Sequence, residues 1–265
     1  MRSEICNSER SEDFVNHHSV VRRIWGDPDL VLLIFAGSAA EFALNRAVDW
    51  LFFTGKIPSD PIGRFFSTVE FAQSIVFADE EAAQATFSQI NAVHSSVEDR
   101  RGLRIPDWAY RDVLYMLIDY SERAQGLVYR PLVASEQNEL YETFRRVGEG
   151  LHISMLPTTY AEWQHDRRRH LRRDLVYSDY TALLYQQYRR DLGLLRYYIL
   201  LQLQALLAPE EVRLLLELKS HPIISQLVRA YSMLDQLKLQ FLIRRVLIPP
   251  RHWPQIQKLY RAAKA

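Results

Sequence analysis

The stretch Asp60-Pro61-Ile62-Gly63-Arg64-Phe65-Phe66-Ser67-Thr68, continued to Val97, is the clearest indication of the fold, because it predicts two consecutive helices. Asp60 is a good N-cap, and Pro61 suits the first helical position, where a missing N–H loses no hydrogen bond. Asp79 is expected to cap the second helix, since the two glutamates after it complement the positive end of a helix. The segment therefore predicts a pair of helices joined by a short turn.

Three polar side chains in this helix pair are candidates for chemistry. Arg64 and Thr68 are four residues apart and so lie on one face of the first helix. On the second helix His94 is in phase with Phe87 and Ile90, which places its imidazole on the apolar stripe. Such a position is costly unless the ring is bonded. Two interpretations are open: a core histidine satisfied by a backbone carbonyl, or an axial ligand to an iron cofactor held between the helices, facing Arg64 and Thr68.

Size and charge bound the class of protein. The 265 residues (31.1 kDa) suffice for a core that encloses a cofactor. The formal net charge is +1, with 33 basic and 32 acidic residues, so no global field recruits nucleic acid or anionic lipid. We therefore expect no nucleic-acid partner.

The N-terminal region and the cysteine usage suggest a reducing, cytoplasmic location. Cys6 is the single cysteine, which excludes an intramolecular disulfide and a cysteine metal cluster. Residues 1–20 are acidic and lack an apolar core, so they do not read as a signal peptide. We interpret residues 1–20 as a mobile or loosely docked arm and residues 21–265 as a single all-α domain.

The most apolar window runs from Leu30 to Phe53. Charged side chains, among them Glu41 and Arg46, interrupt it at helical spacing, and a membrane span needs about twenty mostly uncharged residues. A buried helix is therefore expected, and no transmembrane segment. The small residues at 37–40 permit close approach of another backbone or of a flat ligand. Tight helix packing and a cofactor face explain them equally well.

The remaining sequence predicts more helices and no strands, which makes the protein all-α, a single globular domain of many helices. Ser95 to Ile105 is charged and is predicted as a loop. Further helices are predicted over Pro106–Tyr129, from Ser135 to Gly150, from Thr159, from Ser178, over Leu192–Leu207, from Pro209, over Pro222–Ile248 and after Pro254.

Two other patterns are weaker candidates for sites. Glu149 and His152, like Glu162 and His165, have the Glu-x-x-His spacing of di-iron bundles, but they are too close in sequence to lie on separate bundle helices, so we interpret them as coincidences. The basic run 167–173 is interpreted as a solvated helix face paired with neighbouring aspartates. No phosphate-cradling glycine loop or serine-hydrolase elbow is present in the sequence.

Taken in order, several motifs of residues 20–175 resemble the latex clearing protein (rubber oxygenase) family, which includes the oxygenase of mycophenolic acid biosynthesis. The motifs are Gly37 in an apolar helix, Asp60-Pro61-x-x-Arg64, Thr68, His94, Tyr129-Arg130-Pro131-Leu132 and Leu156-Pro157-Thr158-Thr159.

The resemblance implies a globin-reminiscent helical fold around a b-type haem. It implies that His94 is the proximal iron ligand and that Arg64 and Thr68 are the residues on the distal side, near the oxygen pocket. Members of the family use dioxygen to cleave carbon–carbon double bonds in isoprenoid chains. The resemblance thus implies a haem-dependent oxygenase acting on a hydrophobic substrate, with an isoprenoid or polyketide chain as the expected class.

A second hypothesis belongs to a different class of protein. In it the chain is a non-catalytic helical module that binds a lipid or a partner protein, and His94 is a satisfied core residue. Bound haem distinguishes the two hypotheses.

Overall fold

A computed structural model describes residues 12–53 and 60–222, together with Gln226, Pro254 and Gln257. In this part of the chain the regular structure is helical, with two isolated β-bridges and no strand, which confirms the all-α prediction. The helices are α1 Val20–Trp25, α2 Pro28–Leu44, α3 Asp49–Phe53, α4 Pro61–Val76, α5 Glu80–Arg101, α6 Asp107–Val128, α7 Ala134–Gly150, α8 Tyr160–Arg173, α9 Asp179–Leu207 and α10 Glu210–Leu215. Apart from Pro222, Gln226, Pro254 and Gln257, the helices predicted over Pro222–Ile248 and after Pro254 lie outside the described residues, as does Cys6.

The predicted caps of the helix pair are confirmed. The Asp60 carboxylate accepts a hydrogen bond from the backbone N–H of Gly63 at 2.9 Å, and Asp79 accepts one from Ala82 at 2.8 Å. Each bond satisfies an N–H that the first helical turn leaves without a partner.

The prediction of a loop from Ser95 to Ile105 is wrong, because α5 continues through this charged segment to Arg101. The charges lie on a solvated helix surface, and Arg100 and Arg101 complement the negative end of the helix. The helix ends at Gly102, whose φ of 67° is the left-handed conformation that glycine adopts without strain.

At the centre of the core is α2, which packs extensively against α6 and α9. Its residue Gly37 faces the ring of Tyr120, and a Cβ built on Gly37 would lie 2.5 Å from Tyr120 Cδ1. At this position the small residue serves helix packing. Among the described helices, none has a stretch apolar and long enough to cross a membrane.

Two further features position elements around the core. Of the predicted N-terminal arm, residues 12–20 are described, and the last of them begins α1. Phe14 and Val15 are buried, and the Phe14 N–H donates to Ala78 O at 3.0 Å. Helix α9 is broken at Gly193, where φ is 73° and ψ is 170°.

Candidate functional site

Helices α4 and α5 pack against each other and carry the three predicted site residues to one cavity of about 500 Å³. Arg64 and Thr68 reach it from α4, and His94 reaches it from α5. Most of the wall is apolar and comes from α2, α4, α5, α6 and α9. Its apolar members include Leu32, Phe35, Phe42, Ile62, Phe65, Val93, Val113, Leu117, Leu184 and Leu200.

His94 is half-buried at the wall of this cavity. In the described part of the chain its imidazole makes no hydrogen bond, and its ring centroid lies 4.9 Å from that of Tyr110. Burial lowers the pKa of His94, the charge of Arg64 lowers it further, and Glu98 opposes the shift. The ring is therefore neutral at pH 7 and retains a nitrogen lone pair.

Arg64 is also half-buried, and within the described ranges no carboxylate hydrogen-bonds its guanidinium. Burial lowers the pKa of Arg64, but an arginine stays charged at neutral pH. The Thr68 hydroxyl donates to the backbone carbonyl of Arg64 at 3.2 Å, which leaves its oxygen free to accept another hydrogen bond. The cavity thus contains a fixed positive charge, a hydroxyl acceptor and an imidazole lone pair among apolar walls.

Two other polar side chains of the wall, those of Tyr110 and Asn45, are hydrogen-bonded to carboxylates. Tyr110 donates its hydroxyl to Glu98 at 3.2 Å, and Asn45 donates its side-chain N–H to Asp112 at 2.7 Å. These bonds hold the two side chains in place, so they contribute to the shape of the cavity.

The prediction that the basic run 167–173 forms a solvated helix face is wrong for two of its members, Arg167 and His170. Arg167 is 4% exposed and makes a bidentate pair with Glu41 at 2.6 Å, and it also donates to Asp119 at 2.9 Å. His170 is 1% exposed. The signal that could have identified them is their phase, since both share one helix face with the buried Trp163.

His170 belongs to a second polar cluster, which the sequence analysis missed. Its Nδ1 atom contacts Asp112 Oδ1 and lies 3.1 Å from Asp174 Oδ2, while its Nε2 atom lies 3.5 Å from Asp166 Oδ2. All four side chains are buried. Within residues 12–53 and 60–222, Asp112, His170 and Asp174 form a group that could hold a metal ion.

In the described part of the chain the two Glu-x-x-His motifs do not come together as one group of metal-ligating side chains. Glu149 pairs with Arg145, and His152 Nδ1 lies 3.3 Å from Asn91 Nδ2. The carboxylate of the second motif accepts hydrogen bonds from Thr158, and its histidine is exposed.

Comparison with known proteins agrees with the family resemblance. Residues 22–234 match the family model described as "ER-bound oxygenase mpaB/B'/Rubber oxygenase, catalytic domain". The match covers most of the chain and extends beyond the segment that carries the motifs. No curated protein and no solved structure matches.

Proposed function

The chain belongs to the mpaB/rubber oxygenase catalytic-domain family, and we propose that it is a haem-b-dependent oxygenase that uses dioxygen on a hydrophobic substrate. Membership of the family supports an oxygenase; the haem and the class of substrate are part of the proposal. The observation that carries it is the convergence of His94, Arg64 and Thr68 on one apolar cavity.

The residues of the cavity fit a haem. An imidazole binds iron through a nitrogen that carries no proton, and the lowered pKa of His94 keeps the ring in that form at neutral pH. The ring makes no competing hydrogen bond in the described part of the chain, so its nitrogen is available as an iron ligand. His94 would therefore hold the iron. The volume of about 500 Å³ falls in the range of pockets that bind small molecules and cofactors.

When bound, the haem supplies the iron that activates dioxygen. Arg64 provides N–H donors and a positive charge that are already in place, so they stabilise negative charge that develops nearby without reorganisation. Thr68 can accept a hydrogen bond one helical turn away and orient a water or a substrate.

The apolar wall supports a hydrophobic substrate. An alkene offers no strong hydrogen-bonding group, so its recognition depends on shape and on apolar contacts of the kind that Phe35, Leu117 and Leu200 provide. The same residues exclude water from the reacting groups. We propose oxidative cleavage of a carbon–carbon double bond in an isoprenoid or polyketide chain as the reaction. A cytoplasmic location remains part of the proposal.

An absorption spectrum of the purified protein tests the haem. Protein expressed with ample haem and iron should show a Soret band, and His94→Ala should lose the band while His152→Ala, which removes an exposed imidazole, should keep it. A colourless wild-type protein would overturn the proposal and leave the helical lipid- or protein-binding module, with His94 as a core residue. A screen of terpenoid and polyene substrates under oxygen then tests the reaction.

A further inference from the structure

We propose that Asp112, His170 and Asp174 form a binding site for one divalent metal ion, separate from the cavity of His94. The three side chains come from α6 and from the C-terminal end of α8, and each is at most 4% exposed. One nitrogen and two carboxylate oxygens of the group lie within 4.8 Å of one another.

The orientation of the imidazole favours a cation between these atoms. His170 Nε2 is buried without a hydrogen bond, and the acceptor it faces is Asp166 Oδ2 at 3.5 Å. A neutral imidazole has one N–H. If that N–H points at Asp166, the Nδ1 lone pair faces two carboxylate oxygens, which is repulsive unless a cation lies between them. A histidine that binds a metal through one nitrogen and faces a carboxylate with the other has this arrangement.

The charge balance gives independent support. The carboxylate of Asp174 is paired with Arg173 through two hydrogen bonds of 2.7 Å, and that of Asp166 is paired with Arg169. Asp112 has no such partner in the described residues, since its hydrogen bonds are to the neutral amide of Asn45 and to His170. A buried carboxylate is costly unless a positive charge compensates it, and a divalent ion at this point supplies that charge.

The donor set indicates the class of ion. One imidazole nitrogen and two carboxylate oxygens suit a first-row divalent ion such as Zn²⁺, which binds these atoms in a four-coordinate arrangement with a water as the remaining ligand. Asn45 donates to Asp112 Oδ2, which is not the oxygen that contacts His170, and Arg173 donates to both oxygens of Asp174. Hydrogen bonds of this kind commonly hold the carboxylate ligands of a metal site in place. The ion would link α8 to α6 through its three ligands. Because Asn45 bonds Asp112 and also lines the cavity, the ion would in addition stabilise the cavity wall.

Zinc titration of the full chain tests the proposal. The protein is stripped with a chelator and titrated with Zn²⁺ in competition with a chromophoric chelator, and the melting temperature is followed. We expect the three side chains to bind one Zn²⁺ ion per chain. The melting temperature should rise by about 5–10 °C at a free Zn²⁺ concentration of roughly 100 Kd. Asp112→Asn and His170→Gln should lose this ion, while His165→Gln, an exposed histidine of the same helix, should retain it.

The competing explanation is an imidazolium held between carboxylates without metal. In that case the stripped wild-type protein binds no Zn²⁺ at this site, its melting temperature does not respond to the ion, and NMR detects both ring N–H groups of His170. Either this result or equal zinc binding by His170→Gln and His165→Gln overturns the proposal. If the site variants do not fold, the wild-type titration and the NMR spectrum decide. Zinc content and the Soret band are measured separately, so this proposal and the haem proposal fail independently.

Discussion

Arg64 on α4 and His94 on α5 line one cavity and interact through it, since the guanidinium charge helps to lower the pKa of the imidazole. The positive charge of Arg64 disfavours only the protonated form of His94, so the two groups are compatible when the imidazole is neutral. Their different roles in the proposal follow from their chemistry, because a neutral imidazole can bind iron and a guanidinium can only donate hydrogen bonds and charge.

Replacing Arg64 by alanine should leave haem binding intact and reduce oxygen-dependent turnover. Removal of one donor that stabilises developing charge costs about 100-fold or more in rate, so we expect a loss of this order. Turnover is measured at a fixed haem occupancy determined from the Soret band. Arg168→Ala, which removes an exposed guanidinium, is the control and should be neutral. Unchanged turnover in Arg64→Ala would contradict the distal role.

Replacing Arg167 by methionine should strongly destabilise the fold. The change leaves Glu41 buried without its cation and removes one of the two cations of Asp119, which still pairs with Arg123. Breaking a buried pair in this way costs about 3–5 kcal/mol. Urea denaturation at pH 7 measures the loss in the free energy of unfolding. The neighbouring exposed Arg168→Met should stay within about 0.5 kcal/mol of the wild type. Equal stabilities of the two variants would show that the pair contributes nothing.

Replacing Gly37 by alanine should also destabilise the protein, because the new Cβ would lie 2.5 Å from the ring of Tyr120. Overpacking of a close helix contact costs about 1–3 kcal/mol. Gly126→Ala is the matched control, since its Cβ would meet its nearest atom at 3.8 Å. That change should stabilise α6 by about 0.5–1 kcal/mol, the usual gain of alanine over glycine in a helix. Thermal unfolding of both variants distinguishes the two effects.

Glu122 should make stability depend on pH. Burial raises its pKa to about 7, although the hydroxyl of Tyr160, at 3.0 Å from Oε2, lowers it. At pH values between 4.5, the ordinary pKa of a glutamate, and about 7, the carboxyl of Glu122 therefore binds more protons in the folded state than in the unfolded chain. The stabilisation from this group is complete below the ordinary value and is lost as pH rises through about 7.

Glu122→Gln should remove that dependence and should be more stable than the wild type at about pH 8. The free energy of unfolding is measured by urea denaturation at several pH values between about 5 and 8. Glu139→Gln, which changes an exposed carboxylate, should follow the wild-type curve. The prediction fails if the Glu122→Gln and wild-type curves run parallel.

Most of the longer helices, the caps at Asp60 and Asp79, and the helix pair that carries the cavity residues could be predicted from local sequence pattern, whereas the short helices α1 and α3 were not predicted. These features depend on contacts three or four residues apart, which a linear sequence contains explicitly. The order of short motifs also indicated the family, and the match over residues 22–234 confirms it. The extension of α5 to Arg101 was missed because a charged helix surface and a charged loop have the same composition.

The burial of charge was not predicted, although the phase of Arg167 and His170 with Trp163 was a local signal for it. Arg167 hydrogen-bonds Glu41, which is 126 residues away in the sequence, and Asp112 contacts His170, which is 58 residues away. A basic run in a polar helix is solvated by default, and it becomes buried only when distant helices supply carboxylates at bonding distance. Local hydrogen bonding thus determines where the helices lie in the sequence. The packing of α2, α6 and α8 determines which of their charged side chains are buried.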